Sequence, residues 1–348
     1  MAHSTSSKTA ARISSTISPS PANMQTKVTG TTSQNMDGLS WFLLITLSIL
    51  WGGSFFFTEI ALRELPPFSL VLARVSLAAV ILWLVIGMRK ISIPRTALLW
   101  PSFLIMGILN NMIPFSLIVW SQTYIASGLA AILNATTPLF TLIIAQIATD
   151  SEKLTLRKII GVMTGFIGVV IVMGLPATSV LFDISNFGNS ATGLSLGAIA
   201  PLAVLGAAIS YGCAGVFGRR FKSVSPIVTA AGQTTGSSIM LAPIALLVDK
   251  PWQLPVPGLT TGLAVLGIAA ISTALAYILY FKLLNRAGAS NLLLVTFLIP
   301  VSAILLGVGF LGEQLHVTDI TGMMVIGLGL AIIDGRPLAW LFNSTGKS

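Results

Sequence analysis

Charge is what this sequence has least of. Lys, Arg, Asp and Glu make up 8% of its 348 residues while 54% are hydrophobic, and roughly a quarter of an average soluble domain is charged. So little charge cannot cover a water-soluble globule of this length, which excludes ordinary soluble enzymes and nucleic-acid readers. Cysteine is limited to Cys213, so neither a disulfide framework nor a cysteine metal site can form. The two histidines, His3 and His316, are far apart in sequence, and no histidine metal cluster is expected. No Asp or Glu lies in the middle of an apolar run, so a carboxylate proton relay has no support. An intramembrane enzyme would need a nucleophile and base, or metal ligands, clustered inside the bilayer, and no such cluster is present. No cofactor is expected.

What is abundant is apolar sequence in long runs. A bilayer-spanning helix needs about 20 mostly apolar residues. Ten stretches qualify: 40–61, 68–87, 97–119, 127–148, 157–174, 196–217, 226–247, 261–281, 290–310 and 317–334. Pro66-Pro67, Ser92-Ile93-Pro94 and the segment Pro251 to Pro257 punctuate the gaps. The expected fold is an all-α polytopic membrane protein with ten transmembrane helices. Placing the N-terminus in the cytoplasm puts 16 of the 19 Lys and Arg residues in cytoplasmic segments. Only Arg63 and Lys250 then lie outside, and Arg74 lies within a span. This is the positive-inside pattern, and it predicts both termini in the cytoplasm of a plasma (bacterial inner) membrane protein. The net charge of +9 is thereby explained by loops, with no nucleic acid required.

Residues 1–39 are expected to form a disordered tail, because 1–35 hold 15 Ser or Thr and no acid and cannot build a core. The same composition fits an organellar transit peptide, and Met36 offers an alternative start just ahead of the first span. Residues 175–195 are expected as a linker and 335–348 as a C-terminal tail. Gly346-Lys347-Ser348 imitates the end of a P-loop, but Leu341 stands where its first glycine would be.

The spans fall into two sets of five that can be laid over one another, 40–174 and 196–334. Trp51-Gly52-Gly53 faces Tyr211-Gly212-Cys213, and Pro67 faces Pro226. Asn134-Ala135-Thr136-Thr137-Pro138 faces Thr296-Phe297-Leu298-Ile299-Pro300. Glu152 precedes Gly161 by the same interval as Glu313 precedes Gly322, and Gly168 and Gly329 follow in step. Five is odd, so the second set enters the membrane the opposite way up. Inverted repeats of this kind are the usual frame for alternating access.

The Trp51-Gly52-Gly53-Ser54-Phe55 run, the Leu65-Pro66-Pro67 turn, Arg74 and the doubled Pro–Glu–Gly series resemble the drug/metabolite transporter superfamily, EamA-type, over residues 40–334. The resemblance implies a ten-helix fold and export of small metabolites, including amino acids and related compounds. The second half departs from the first where Tyr211 replaces Trp51 and Gln233 replaces Arg74.

Solute sites in inverted-repeat transporters lie near the bilayer midplane. Polar residues at span centres fall in repeat-related pairs: Asn110 and Asn111 with Ser272 and Thr273, Asn134 with Thr296, and Arg74 with Gln233. They either line a shared cavity or glue helices together. Arg74 either snorkels to the outer face or points inward, where it would attract a carboxylate or phosphate. Trp51, Tyr211 and Tyr277 are expected as apolar or cation–π walls. Pro138 and Pro300 each remove a backbone donor and serve as hinges or packing kinks. Gly161 and Gly165 and the glycines of the tenth span are expected to let helices pack closely. Glu152 and Glu313 are expected to cap the following helix or to pair with loop cations. The expected partners are a small-molecule substrate and the lipid bilayer, with a homodimer left open. A channel remains the alternative to a carrier.

Overall fold

The computed structural model describes residues 36–94, 99–148, 155–182, 196–292 and 294–334. The tail 1–35, Glu152 and residues 335–348 lie outside the described residues. The described chain is helical, with no strand among the described residues. Its ten apolar helices are α1 (Gly38–Ala61), α2 (Pro67–Met88), α3 (Leu99–Ser121), α4 (Ser127–Ala148), α5 (Leu156–Phe182), α6 (Leu196–Phe221), α7 (Pro226–Val248), α8 (Leu259–Ala287, running on to Leu292), α9 (Val295–Leu311) and α10 (Val317–Asp334). Nine of them are long and apolar enough to cross a bilayer, and α9 is shorter. Large apolar side chains such as Phe42, Leu84, Met163 and Leu305 are exposed on the outside of the bundle, as lipid contact requires.

Helix starts follow local chemistry. Pro67 and Pro226 occupy first-turn positions, where the missing N–H costs nothing. Asp37 caps α1 by accepting from the Ser40 N–H at 3.0 Å, and its carboxylate also pairs with Arg286 of α8. The Arg286 guanidinium and the Ser40 hydroxyl and N–H hold the Asp37 carboxyl well below the usual carboxylate range.

The two sets of five helices are inserted oppositely, and their packing is exchanged between the repeats. Helix α1 packs on α8 and α9, and its counterpart α6 packs on α3 and α4. The correspondence reaches single residues. A Cβ on Gly52 would meet the Ala303 N of α9 at 2.8 Å, and one on Gly212 would meet the Thr141 N of α4 at 3.1 Å. Helices α5 and α10 meet along a glycine seam: a Cβ on Gly329 would stand 2.5 Å from Gly165 N, and one on Gly161 2.7 Å from Gly329 O. Close backbone approach of this kind is the packing mode expected of membrane helices.

Two apolar clusters link α2, α3, α7 and α8. One contains Leu70, Val71, Val75, Phe115, Leu241 and Ile268. The other contains Ala78, Leu82, Phe103, Val228 and Ala274. Between these levels lie Arg74, Asn110, Gln233 and Thr273, a polar layer partway along the helices.

Candidate functional site

The polar layer is set by departures from regular helix. In α3, residues Ile108–Met112 form a π-helical turn that carries Asn110 and Asn111. In α8, residues Gly267–Leu275 form a longer π-helical stretch that carries Ser272 and Thr273. These are the positions that the repeat aligns, and π-bulges frequently mark functional sites. The Thr273 hydroxyl donates to Ile268 O five residues back, at 2.8 Å, as that register allows.

Helix α4 is interrupted at Ala135-Thr136, between Asn134 and Thr137. Pro138 frees the carbonyl four residues earlier. That carbonyl, Asn134 O, accepts the Thr137 hydroxyl at 2.7 Å. The break is therefore satisfied by side chains. Its repeat mate Pro300 behaves differently: it sits inside an unbroken α-helical stretch, Val295–Leu306. The two prolines are thus placed differently, since α9 starts only five residues before Pro300.

A cavity of about 750 Å³ occupies the centre of the bundle. Ten of the residues singled out in the sequence line it: Trp51, Arg74, Asn110, Asn134, Tyr211, Gln233, Ser272, Thr273, Tyr277 and Thr296. They come from α1, α2, α3, α4, α6, α7, α8 and α9. Asn111 is the exception. It is fully buried, is absent from the cavity wall, and donates to the Tyr277 hydroxyl at 3.4 Å. Asn110 is the wall residue of the pair.

Hydrogen bonds across the layer repeat the exchanged packing. Arg74 Nε of α2 donates to Thr273 Oγ1 of α8 at 3.0 Å. Asn110 Nδ2 of α3 bonds Gln233 Oε1 of α7 at 3.1 Å, which is the related helix pair. Asn110 also donates to the Tyr277 hydroxyl at 3.2 Å. The Arg74 side chain points inward, with its Cζ 3.7 Å from the centroid of the Phe115 ring. The side-chain oxygens of Asn134 and Ser272, both wall residues, are buried without a partner among the described residues. Unmet polar atoms at a cavity wall are positions for water or a solute.

Residues that the sequence analysis did not assign to the cavity complete the wall. Ser54, Phe55 and Thr58 follow Trp51 on one face of α1, and Tyr280, Phe281 and Leu284 follow Tyr277 on one face of α8. Both sets obey the three-and-four spacing of a helix face, a signal present in the sequence once the first residue is placed. The Trp51 and Tyr280 rings stand 5.6 Å apart, and Tyr280 meets Phe281 edge-on at 5.0 Å.

The cavity reaches the face that carries the turn between α6 and α7, where Lys222 and Asn285 are wall residues exposed to solvent. Toward the other face the wall residues Ser54, Thr58 and Gln122 are buried, and Gln122 Nε2 donates to Phe55 O at 2.9 Å. Three carboxylates tie the turns of that face. Glu64 accepts from Gly258 N at 2.7 Å, at the start of α8. Asp249 accepts from Ser69 N at 2.6 Å, at the start of α2. Glu313 accepts from Ser127 N at 2.8 Å and Gly128 N at 3.1 Å, at the start of α4. Each joins one repeat to the other. Glu313 was expected to cap the following helix or to pair with loop cations, and instead caps a helix of the opposite repeat.

Ten apolar helices in two oppositely inserted sets around a central cavity define a membrane protein of the inverted-repeat type. The EamA-like transporter family model matches residues 38–174 and again 198–334, and the chain belongs to that family. A Bacillus subtilis (strain 168) protein named uncharacterized transporter YoaV is 25% identical, over 82% of this chain and 94% of that one. The uncharacterized inner membrane transporter YedA of Escherichia coli (strain K12) is 25% identical over 83% of this chain and 89% of its own length. Protein PagO of Salmonella typhimurium is 26% identical over 84% and 92%. A crystal structure 18% identical superimposes with a TM-score of 0.60, covering 85% of this chain and 97% of that one, which speaks to the fold alone.

Proposed function

We propose that the protein is a secondary transporter that exports a small polar metabolite, an amino acid or related compound, by alternating access. One observation carries the reading. The cavity wall is built from repeat-related residues of two oppositely inserted units and, among the described residues, reaches solvent at one face. A rocking motion of one unit against the other would close that face and open the opposite one, as the pseudo-two-fold relation of the repeats permits. The positive-inside distribution supports a plasma membrane location with both termini in the cytoplasm, and the inner membrane name of YedA agrees with it. The open face, beside Arg219, Arg220 and Lys222, is then cytoplasmic. The transporter names of the relatives favour a carrier over an intramembrane enzyme.

The test is flux in proteoliposomes that hold the purified full chain. Arg74→Ala and Asn134→Ala are expected to lower flux about tenfold or more, while yield and melting behaviour stay close to wild type. Trans-stimulation and saturation are expected of a carrier. Flux that neither saturates nor responds to solute on the far side would identify a channel, and normal flux in both variants would remove these residues from the site.

A further inference from the structure

We propose that the cavity takes an organic monocarboxylate with an apolar body, its carboxylate held on the guanidinium of Arg74. The inference rests on the reading of this cavity as the solute site. Arg74 is only 7% exposed. Its Nε is engaged by Thr273 and its flat face by Phe115. Among the described residues its two terminal nitrogens have no hydrogen-bond partner, and no carboxylate pairs with it. A guanidinium keeps its charge at every physiological pH. A desolvated charge without a counter-ion is costly, and an anion that enters beside it relieves that cost. The free edge of the guanidinium presents two parallel N–H groups, the geometry that a carboxylate meets with both oxygens.

The sign and size of the charge follow from the rest of the wall. No Asp or Glu lines the cavity among the described residues. The other cation of the wall, Lys222, is exposed at the mouth. One buried positive charge balances one negative charge, whereas a doubly charged phosphate would bring a surplus charge into a poorly solvated site. An ammonium group would meet the like charge of Arg74 and find no carboxylate. The apolar body is accommodated by the rings of Trp51, Tyr280, Phe281 and Phe115.

The experiment is calorimetric titration of the full chain in nanodiscs with matched probes: hydrocinnamate, hydrocinnamyl alcohol, phenylpropylammonium, phenylalanine and inorganic phosphate. Hydrocinnamate is expected to bind about tenfold or more tighter than the alcohol, the amine or phosphate, and at least as tightly as phenylalanine, as a charge-assisted hydrogen bond implies. Arg74→Gln is expected to abolish that preference and Arg74→Lys to retain part of it. The comparison of probes on the unaltered protein does not depend on how the variants fold. Equal binding of anion and alcohol, tighter binding of the amine or of phosphate, or no binding of any probe would overturn the proposal. The same probes loaded in counterflow separate it from the carrier reading. Selective binding of hydrocinnamate without counterflow would leave the anion site standing and remove the carrier. Counterflow of phenylalanine without any anion preference in binding would keep the carrier and overturn the anion site.

Discussion

The Tyr277 hydroxyl joins α8 to α3 through Asn110 and Asn111, and Asn110 passes the connection on to Gln233 of α7. Three helices from two repeats thus depend on one phenol. Tyr277→Phe leaves its shape but removes the acceptor, so the buried Asn111 amide loses a partner. A loss of about 1–3 kcal/mol is expected, read as a lower melting temperature of the purified protein in detergent. An unchanged melt would show that the bonds are not formed. Arg74 was legible in the sequence because a lone charge inside an apolar run has few satisfactory places to be. Phe115 was not, because a phenylalanine among apolar residues carries no mark, and its role arises only when α2 and α3 bring it under the guanidinium. Asn110 and Asn111 could not be told apart for a related reason. Which of two adjacent amides meets the cavity depends on the π-helical register of Ile108–Met112, which spacing alone does not reveal.

Among the elements, the turns opposite the cavity mouth hold the clearest mechanical feature. Glu64, Asp249 and Glu313 each place a carboxylate on the first free N–H groups of a helix from the other repeat. Carboxylates are stabilising at that end of a helix. These contacts tie the two units together on that side, and the proposed alternating access would break at least some of them. Gly128 gives the Glu313 carboxylate room, since a Cβ there would stand 3.3 Å from Oε2. Glu313→Gln weakens one tie without touching the cavity wall. A cysteine at Thr58, in a chain whose Cys213 is replaced by serine, is expected to react several-fold faster with a membrane-impermeant maleimide applied from the Glu313 side, the outer side in the proposed orientation, when Glu313→Gln is added. Unchanged labelling would mean that the tie does not hold the outer side closed. The sequence pattern revealed that Glu313 had a counterpart in Glu152, but not which helix it would cap. Local spacing favours the next helix, and only the tertiary fold brings the start of α4 beside residue 313. The same limit applies to Pro138 and Pro300. Equivalent in the pattern, they differ in the structure because α4 breaks where Thr136 and Thr137 can satisfy the freed carbonyls.

At the scale of the whole molecule, span count, spacing and the inverted relation of the halves were readable because the bilayer imposes them. Backbone groups must be satisfied within each helix, and loop cations sort to one side. The repeat then appears in space as exchanged packing, from the pairs α1 with α9 and α6 with α4 down to Gly52 and Gly212. The direction in which the cavity opens was not readable, because the two conformations that the proposed alternating access requires, exchanged by the pseudo-two-fold axis of the repeat, would share every local signal. The central claim is that these conformations interconvert around a single solute cavity. Pulsed electron–electron distance measurement tests it most directly, with the full chain in nanodiscs, Cys213 replaced by serine, and spin labels in pairs at Lys222 and Asn285 beside the mouth, or at Arg63 and Thr123 on the opposite face. The account predicts two populations in which one pair separates as the other closes, with hydrocinnamate shifting their proportions. Distances that stay fixed under all conditions, or that widen on both faces together, would contradict it.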